Sequence, residues 1–156
     1  MFTRRLKPGF TILEVLIVIA IFGLLATLAV LSLNSARARV RDAQRLSDVG
    51  TISAALSRHW LEKATYPLSA GVSLGAPGSN TEVLSAGGFE PRSRAQPPIY
   101  LERLPTGPNV SEFYRYKGNA NGYSIRFLTE SQTELGKANV FYAHSNGAMD
   151  NKDEEK

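Results

Sequence analysis

The residue types that do covalent or metal chemistry are sparse in this chain. It has two histidines, His59 and His144, far apart and without local metal-ligand spacing. There is no cysteine, which removes disulfides, thiolate metal sites and cysteine nucleophiles. Serines are plentiful, but none lies in a G-x-S-x-G elbow. The glycines of Gly71–Gly78 lack the G-x-x-x-x-G-K-[ST] cradle that holds phosphates. Asp150, Asp153, Glu154 and Glu155 are of the type that binds calcium, yet they lie in a terminal segment with lysines among them and no enforced geometry. Tyr114, Tyr116, Tyr123 and Phe127 have faces that stack on bases or sugars; alternating along strands, they read as core. No catalytic residue, metal site or cofactor is expected, and the chain is not read as an enzyme.

One titratable group stands where its charge is costly. Val15–Leu33 is a run of 19 residues without a charge, broken only by Gly23, Thr27 and Ser32, close to the roughly 20 needed to cross a bilayer. Glu14 adjoins it, with Phe10, Ile12 and Leu13 on its other side. A lone carboxylate in hydrocarbon costs about 3 kcal/mol at the centre and less near the interface. Two readings follow: Glu14 sits among headgroups and snorkels, or it has a specific partner in an assembled state.

The segment is not an ordinary secretory signal. Its apolar core exceeds the usual length, and no small-residue cleavage site follows Leu33, where NSARARVRDAQRLSDV continues as helix. The stretch from Lys7-Pro8-Gly9-Phe10 through Glu14 to Ala20 instead resembles the class III leader and anchor of type IV pilins and type II secretion pseudopilins. The likeness rests on a basic leader, a Gly–Phe junction, a Glu four residues beyond the Phe, and an apolar helix. It implies that a prepilin peptidase cuts between Gly9 and Phe10 on the cytoplasmic side, and that the new Phe10 amine is methylated. It further implies that Glu14 pairs with such an amine on a neighbouring subunit during assembly. Elementary chemistry agrees. Glycine lets a protease approach the backbone closely, and Pro8 pushes Lys7 toward extended geometry. Cleavage turns an amide into an ammonium, which relieves a buried carboxylate only where subunits meet. Unlike many members of that family, the chain has no proline near Leu31 and no cysteine pair closing a C-terminal loop.

The net charge of +4 suggests nucleic acid until the charges are placed. Arg4, Arg5 and Lys7 precede the apolar run, and Arg37, Arg39, Arg41 and Arg45 follow it. From residue 62 onward ten Lys/Arg face eleven Asp/Glu. The basic excess flanks the membrane segment, where it meets lipid headgroups, and no nucleic-acid partner is read. The positive-inside count is tied across the span, so only the resemblance puts the N-terminus in the cytoplasm.

These groups must be positioned by an α+β chain. No proline occurs from residue 9 to 66, and Val40, Ala43, Leu46/Val49, Ile52, Ala55/Leu56 and Trp60 recur at three- and four-residue steps. The spacing predicts one helix from about Phe10 to about Leu61, with Asp42 and Arg45 as a supportive i,i+3 pair. The expected organisation is a leader at 1–9, a transmembrane and filament-core helix at 10–33, and its amphipathic continuation at 34–61. A variable connection at 62–96 follows, holding at most a short element near Thr81–Leu84. A small antiparallel sheet at 97–149 and a polar, frayed tail at 150–156 complete the chain. Candidate strands are Ile99–Leu104, Glu112–Lys117, Tyr123–Thr129 and Val140–Tyr142. Gly118–Gly122 marks the best hairpin. Helix and sheet together resemble the pilin plan.

The expected function is a structural subunit of a type IV pilus-like or type II secretion pseudopilus filament. It would be stored in the inner membrane as a single-pass precursor and then moved to an extracytoplasmic filament. The partners implied are copies of itself and related pilins through the N-terminal helix, a prepilin peptidase, the lipid bilayer, and an inner-membrane platform with a separate motor ATPase. The alternatives are a minor tip subunit for DNA uptake or adhesion, and an unprocessed single-span anchored protein. A tip subunit has no neighbour ahead of it, so Glu14 leans toward the filament body.

Overall fold

The computed structural model describes residues 9–155; the leader expected at 1–9 lies outside them, apart from Gly9. Thr11 starts a single helix, α1, Ile12–Lys63. Ala64 stops it in the left-handed region at φ 54°, its N–H bonding to the Trp60 carbonyl at 2.7 Å. This is a C-cap of the kind glycine usually fills. Pro67 then excludes a further turn.

The chain divides into two units at Arg37/Ala38. In the first, the described residues are almost all exposed, and Phe10, Ile12, Leu16, Phe22 and Leu31 are each more than half exposed. The helix is long and apolar enough to cross a membrane by length and composition. The second unit holds the core. Here α1 buries Asp42, Arg45, Val49, Ile52, Ala55, Leu56 and His59, steps of three and four that put them on one face.

Eight short strands follow in the same unit. β1 (Ser69–Ser73), β5 (Arg115–Gly118), β6 (Tyr123–Leu128), β7 (Val140–His144) and β8 (Met149–Asp150) form an antiparallel sheet in that order. β2 (Val83–Ser85), β3 (Gly88–Glu90) and β4 (Ile99–Leu101) form a second sheet, ordered β3-β2-β4. Residues 62–96, read above as a variable connection, thus contain β1, β2 and β3. Asp150, read as the start of a free tail, pairs with Tyr142. The expected hairpin is present, with Tyr116 opposite Ile125 and Gly118 opposite Tyr123.

Alternation decides which side of the five-stranded sheet is inside. Tyr116, Tyr123, Ile125, Phe127, Phe141 and Ala143 share a face and are buried with Val49, Ile52 and Leu56 of α1 in one apolar cluster. Removing Ile52 or Leu56 from water contributes about 1.5–3 kcal/mol each. Edge-to-face rings pin the arrangement, Tyr66 on Tyr123 at 5.0 Å and Phe89 on Tyr116 at 4.7 Å. The aromatic residues considered as stacking platforms are therefore core.

Candidate functional site

The helix start is built by local hydrogen bonds. The Thr11 hydroxyl accepts from the Glu14 N–H at 3.2 Å, and the Thr11 N–H donates to Glu14 Oε2 at 3.1 Å. The hydroxyl also donates to Oε2 at 3.3 Å. This is a reciprocal capping box, Thr at the N-cap and Glu at the third helical position. It satisfies helix N–H groups that would otherwise face an apolar medium, and the carboxylate lies at the positive end of the helix dipole. Among the described residues, Oε1 of Glu14 has no partner, which leaves lone pairs open to an amine from elsewhere. Gly9 and Phe10 precede the box in non-helical backbone and are exposed, Phe10 by 82%. The structure thus places Gly9, Phe10 and Glu14 at one helix end. It adds Thr11, which the reading of individual residues missed, although Thr-x-x-Glu before an apolar run is its own signal.

A second polar cluster lies within the globular unit. Arg45 is fully buried and meets three carboxylates: Asp42 at 2.8 Å, Glu112 at 2.5 and 2.9 Å, and Glu130 at 2.6 Å. Arg41 also bonds Glu130, and Asn109 donates to Glu112 at 2.7 Å. Asp42 in turn accepts from the N–H groups of Glu130 and Ser131 and from the Ser131 hydroxyl. The network ties α1 to the loops before β5 and after β6. Its electrostatics follow from the partners. The Arg41 hydrogen bond, aided by Arg45 and Asn109, lowers Glu130 to about 2, and Arg45 holds Glu112 below its ordinary value. Burial pushes Asp42 up, but its bonds from Ser131, Glu130 and Arg45 outweigh that and leave it lowered. Every charge is answered, as a buried arginine requires.

The histidines have structural partners. His59 Nδ1 lies 2.9 Å from the Thr65 carbonyl, and the ring packs edge-on against Tyr100; burial lowers its pKa. His144 Nε2 lies 3.0 Å from Asp150 Oδ1, and Ser124 is its cross-strand neighbour. Ser, His and Asp are the residue types of an acyl-transfer triad, yet the Ser124 hydroxyl donates to Asp153 instead. His144 Nδ1 is buried with no hydrogen-bond partner among the described residues. Among the described residues no group of three His, Asp or Glu could hold a metal ion.

Known proteins agree with the helix start. A family model described as the prokaryotic N-terminal methylation motif matches residues 4–30, a span that contains Gly9, Phe10, Thr11 and Glu14. The type II secretion system core protein G of Klebsiella pneumoniae is 33% identical over 137 residues, covering 83% of this chain and 93% of that protein. The chain belongs to the core protein G family of type II secretion systems. Two other core G proteins match along nearly their whole length. That of Dickeya chrysanthemi is 29% identical over 155 residues, 95% of this chain and 97% of its own. That of Pseudomonas aeruginosa is 30% identical over 142 residues, 87% and 92%. No solved structure gives a significant match. Arg45 and its carboxylates lie in the globular unit, beyond the residues that the methylation model matches, and the helix start is the candidate working end.

Proposed function

We propose that this chain is a structural subunit of a type II secretion pseudopilus, processed between Gly9 and Phe10 and assembled through its N-terminal helix. The observation that carries the reading is the capped helix start. A charged residue held at the end of an otherwise exposed apolar helix serves two surroundings in succession. In the bilayer the capping box keeps Glu14 and the first N–H groups satisfied locally. Hydrolysis of the Gly9–Phe10 amide creates an ammonium at Phe10, and methylation leaves that nitrogen cationic. Glu14 of one subunit, with Oε1 open, then pairs with the Phe10 ammonium of another as the apolar helices pack together. In this reading Glu14 fixes register rather than adding stability.

The separate partners of the reading are a prepilin peptidase and a motor ATPase, and the precursor crosses the inner membrane with Met1 in the cytoplasm. Removing residues 1–9 leaves 15 Lys/Arg against 14 acids, so the mature subunit carries no charge excess for nucleic acid. Mass spectrometry of the chain produced together with a prepilin peptidase tests the proposal. The expected product begins at Phe10 and carries one added methyl group on its nitrogen. A chain that keeps Met1 in the presence of an active peptidase overturns it.

A further inference from the structure

The outer face of the five-stranded sheet carries charges that the helix start does not explain. Arg115 of β5 stands directly opposite Arg126 of β6, and both are exposed. Lys117, two residues along β5, shares their face. Like charges directly opposite on neighbouring strands weaken a sheet. No carboxylate among the described residues forms an ion pair with either arginine. Arg115 is also placed by the fold. Its guanidinium lies over Gly71, where an added Cβ would come within 3.0 Å of Nε and Nη2. The result is a groove of about 370 Å³ bounded by Ala70, Arg115, Lys117, Ser124, Arg126 and Asp153.

The chain's own C-terminal segment enters this groove. Asp153 Oδ2 and Glu155 Oε1 lie 3.4 and 3.5 Å from the Lys117 ammonium, and the Ser124 hydroxyl donates to Asp153 Oδ1 at 3.2 Å. Strand pairing ends at Asp150, and beyond it Lys117 and Ser124 hold the segment through side-chain contacts, surface ion pairs being individually weak. Residues 150–156 carry four carboxylates against two lysines. Carboxylates at an i,i+2 spacing therefore fit the groove, yet they answer one of its three cations.

We propose that this groove is an interface for the acidic C-terminal tail of a second copy, with the chain's own tail holding the Lys117 end until copies meet. The inference rests on the structural-subunit reading, because only assembled copies offer tails at high local concentration. A tail tethered nearby competes at an effective concentration in the millimolar range, enough to exchange with contacts this weak. The incoming carboxylates then neutralise Arg115 and Arg126, whose mutual repulsion the isolated subunit leaves in place.

The chain has no cysteine, so a crosslinking test has no background. Two differently tagged full-length copies are co-produced with a prepilin peptidase, one carrying Ala70→Cys and the other Lys156→Cys. Mild oxidation is expected to join the two tags. Arg115→Glu with Arg126→Glu on the Ala70→Cys copy is expected to cut that yield about tenfold, as is raising the salt. A third copy stopped after Asp150 keeps the groove but offers no tail, so adding it should compete for the Lys156→Cys tail and lower the yield between the other two. Crosslinks that form only when both cysteines share one chain overturn the proposal, and so does a yield indifferent to charge reversal. Filaments assembled from methylated subunits without the intermolecular bond refute the groove alone. An unprocessed chain that forms no filament refutes the subunit reading, and the groove with it.

Discussion

Replacing Arg45 with methionine isolates what the buried charge network contributes. Methionine keeps an unbranched apolar stem in the space of the arginine stem but removes four hydrogen bonds, to Asp42, Glu112 (two) and Glu130. Three carboxylates then face one another without their shared cation. They do not suffer equally. The side chains of Glu112 and Glu130 are 15% and 28% exposed and can rehydrate, whereas that of Asp42 is 2% exposed. Asp42 retains its bonds from Ser131 and from the Glu130 N–H, which softens the loss. Removing one partner of a buried pair costs about 3–5 kcal/mol, and the partial exposure of two partners puts Arg45→Met near the lower end, about 3 kcal/mol. With an unfolding entropy of about 2.1 cal/mol/K per residue over the globular unit, that lowers Tm by roughly 12 °C. The assay is thermal and urea unfolding of the full chain in detergent micelles, followed by Trp60 fluorescence. Trp60 is the sole tryptophan and stacks on Tyr66 with centroids 6.4 Å apart, so its signal reports the end of α1 against the fold. Adding Asp42→Asn removes the stranded buried charge and is expected to restore about 1 kcal/mol, a coupling that a double-mutant cycle reads directly. A cost below about 1 kcal/mol for Arg45→Met, or strictly additive substitutions, would refute the claim that these charges act as one buried unit.

Four further outcomes follow from the geometry. Thr11→Ala removes the N-cap and should speed hydrogen exchange at the Glu14 amide about fivefold, for a cost of about 1 kcal/mol. Glu14→Gln retains the box, since glutamine also serves at that position; it should keep the amide protected while filament yield, counted by electron microscopy, collapses. Acid should loosen the globular unit. Glu130 is lowered from 4.5 to about 2, so the stability it contributes is complete above about pH 4.5 and is lost as pH falls toward 2. Glu112 and Asp42 are lowered as well and act in the same sense. Near-UV circular dichroism across that window should show the loss in the parent chain and a flatter profile in Arg45→Met. Gly118→Ala puts a methyl group into the Tyr116 hydroxyl and 2.9 Å from the Pro67 carbonyl. Because that hydroxyl donates to the same carbonyl at 2.8 Å, the substitution should cost about 2–4 kcal/mol in urea unfolding.

Much of the architecture was legible because its signals are local. The charge-free run, the absence of proline up to residue 66 and the three-four spacing of Val49, Ile52 and Leu56 specify α1 within the chain's own neighbourhood. The β5–β6 hairpin announces itself through alternation on both sides of Gly118–Gly122. The first sheet strand did not, because Ser69–Ser73 is made of small residues and contains a register shift between Ser69 and Val72, which erases a period-two pattern. Strands β2 and β3 have three residues each, too few to establish a period, so β2 was signalled only as a short element near Thr81–Leu84 and β3 not at all. Arg45 shows why polar networks resist such reading. Its local partner Asp42 was visible as an i,i+3 pair, but Glu112 and Glu130 lie 67 and 85 residues away, and nothing in either segment points back to the helix. At the helix start the signals are local: the resemblance singled out Gly9, Phe10 and Glu14 as candidates, and the Thr11-to-Glu14 spacing that marks the cap went unread.

The position of the charge network along α1 has a mechanical consequence. Tension applied to the apolar segment travels down the helix backbone and meets Arg41, Asp42 and Arg45 before it meets Val49, Ile52 or Leu56. The first linkages to bear load are thus short, directional ion pairs, which give way abruptly after a small displacement. Behind them lies an apolar contact surface that yields gradually. A subunit drawn out by its anchor is braced first by its stiffest fastening, and the aromatic core is shielded until that fastening fails.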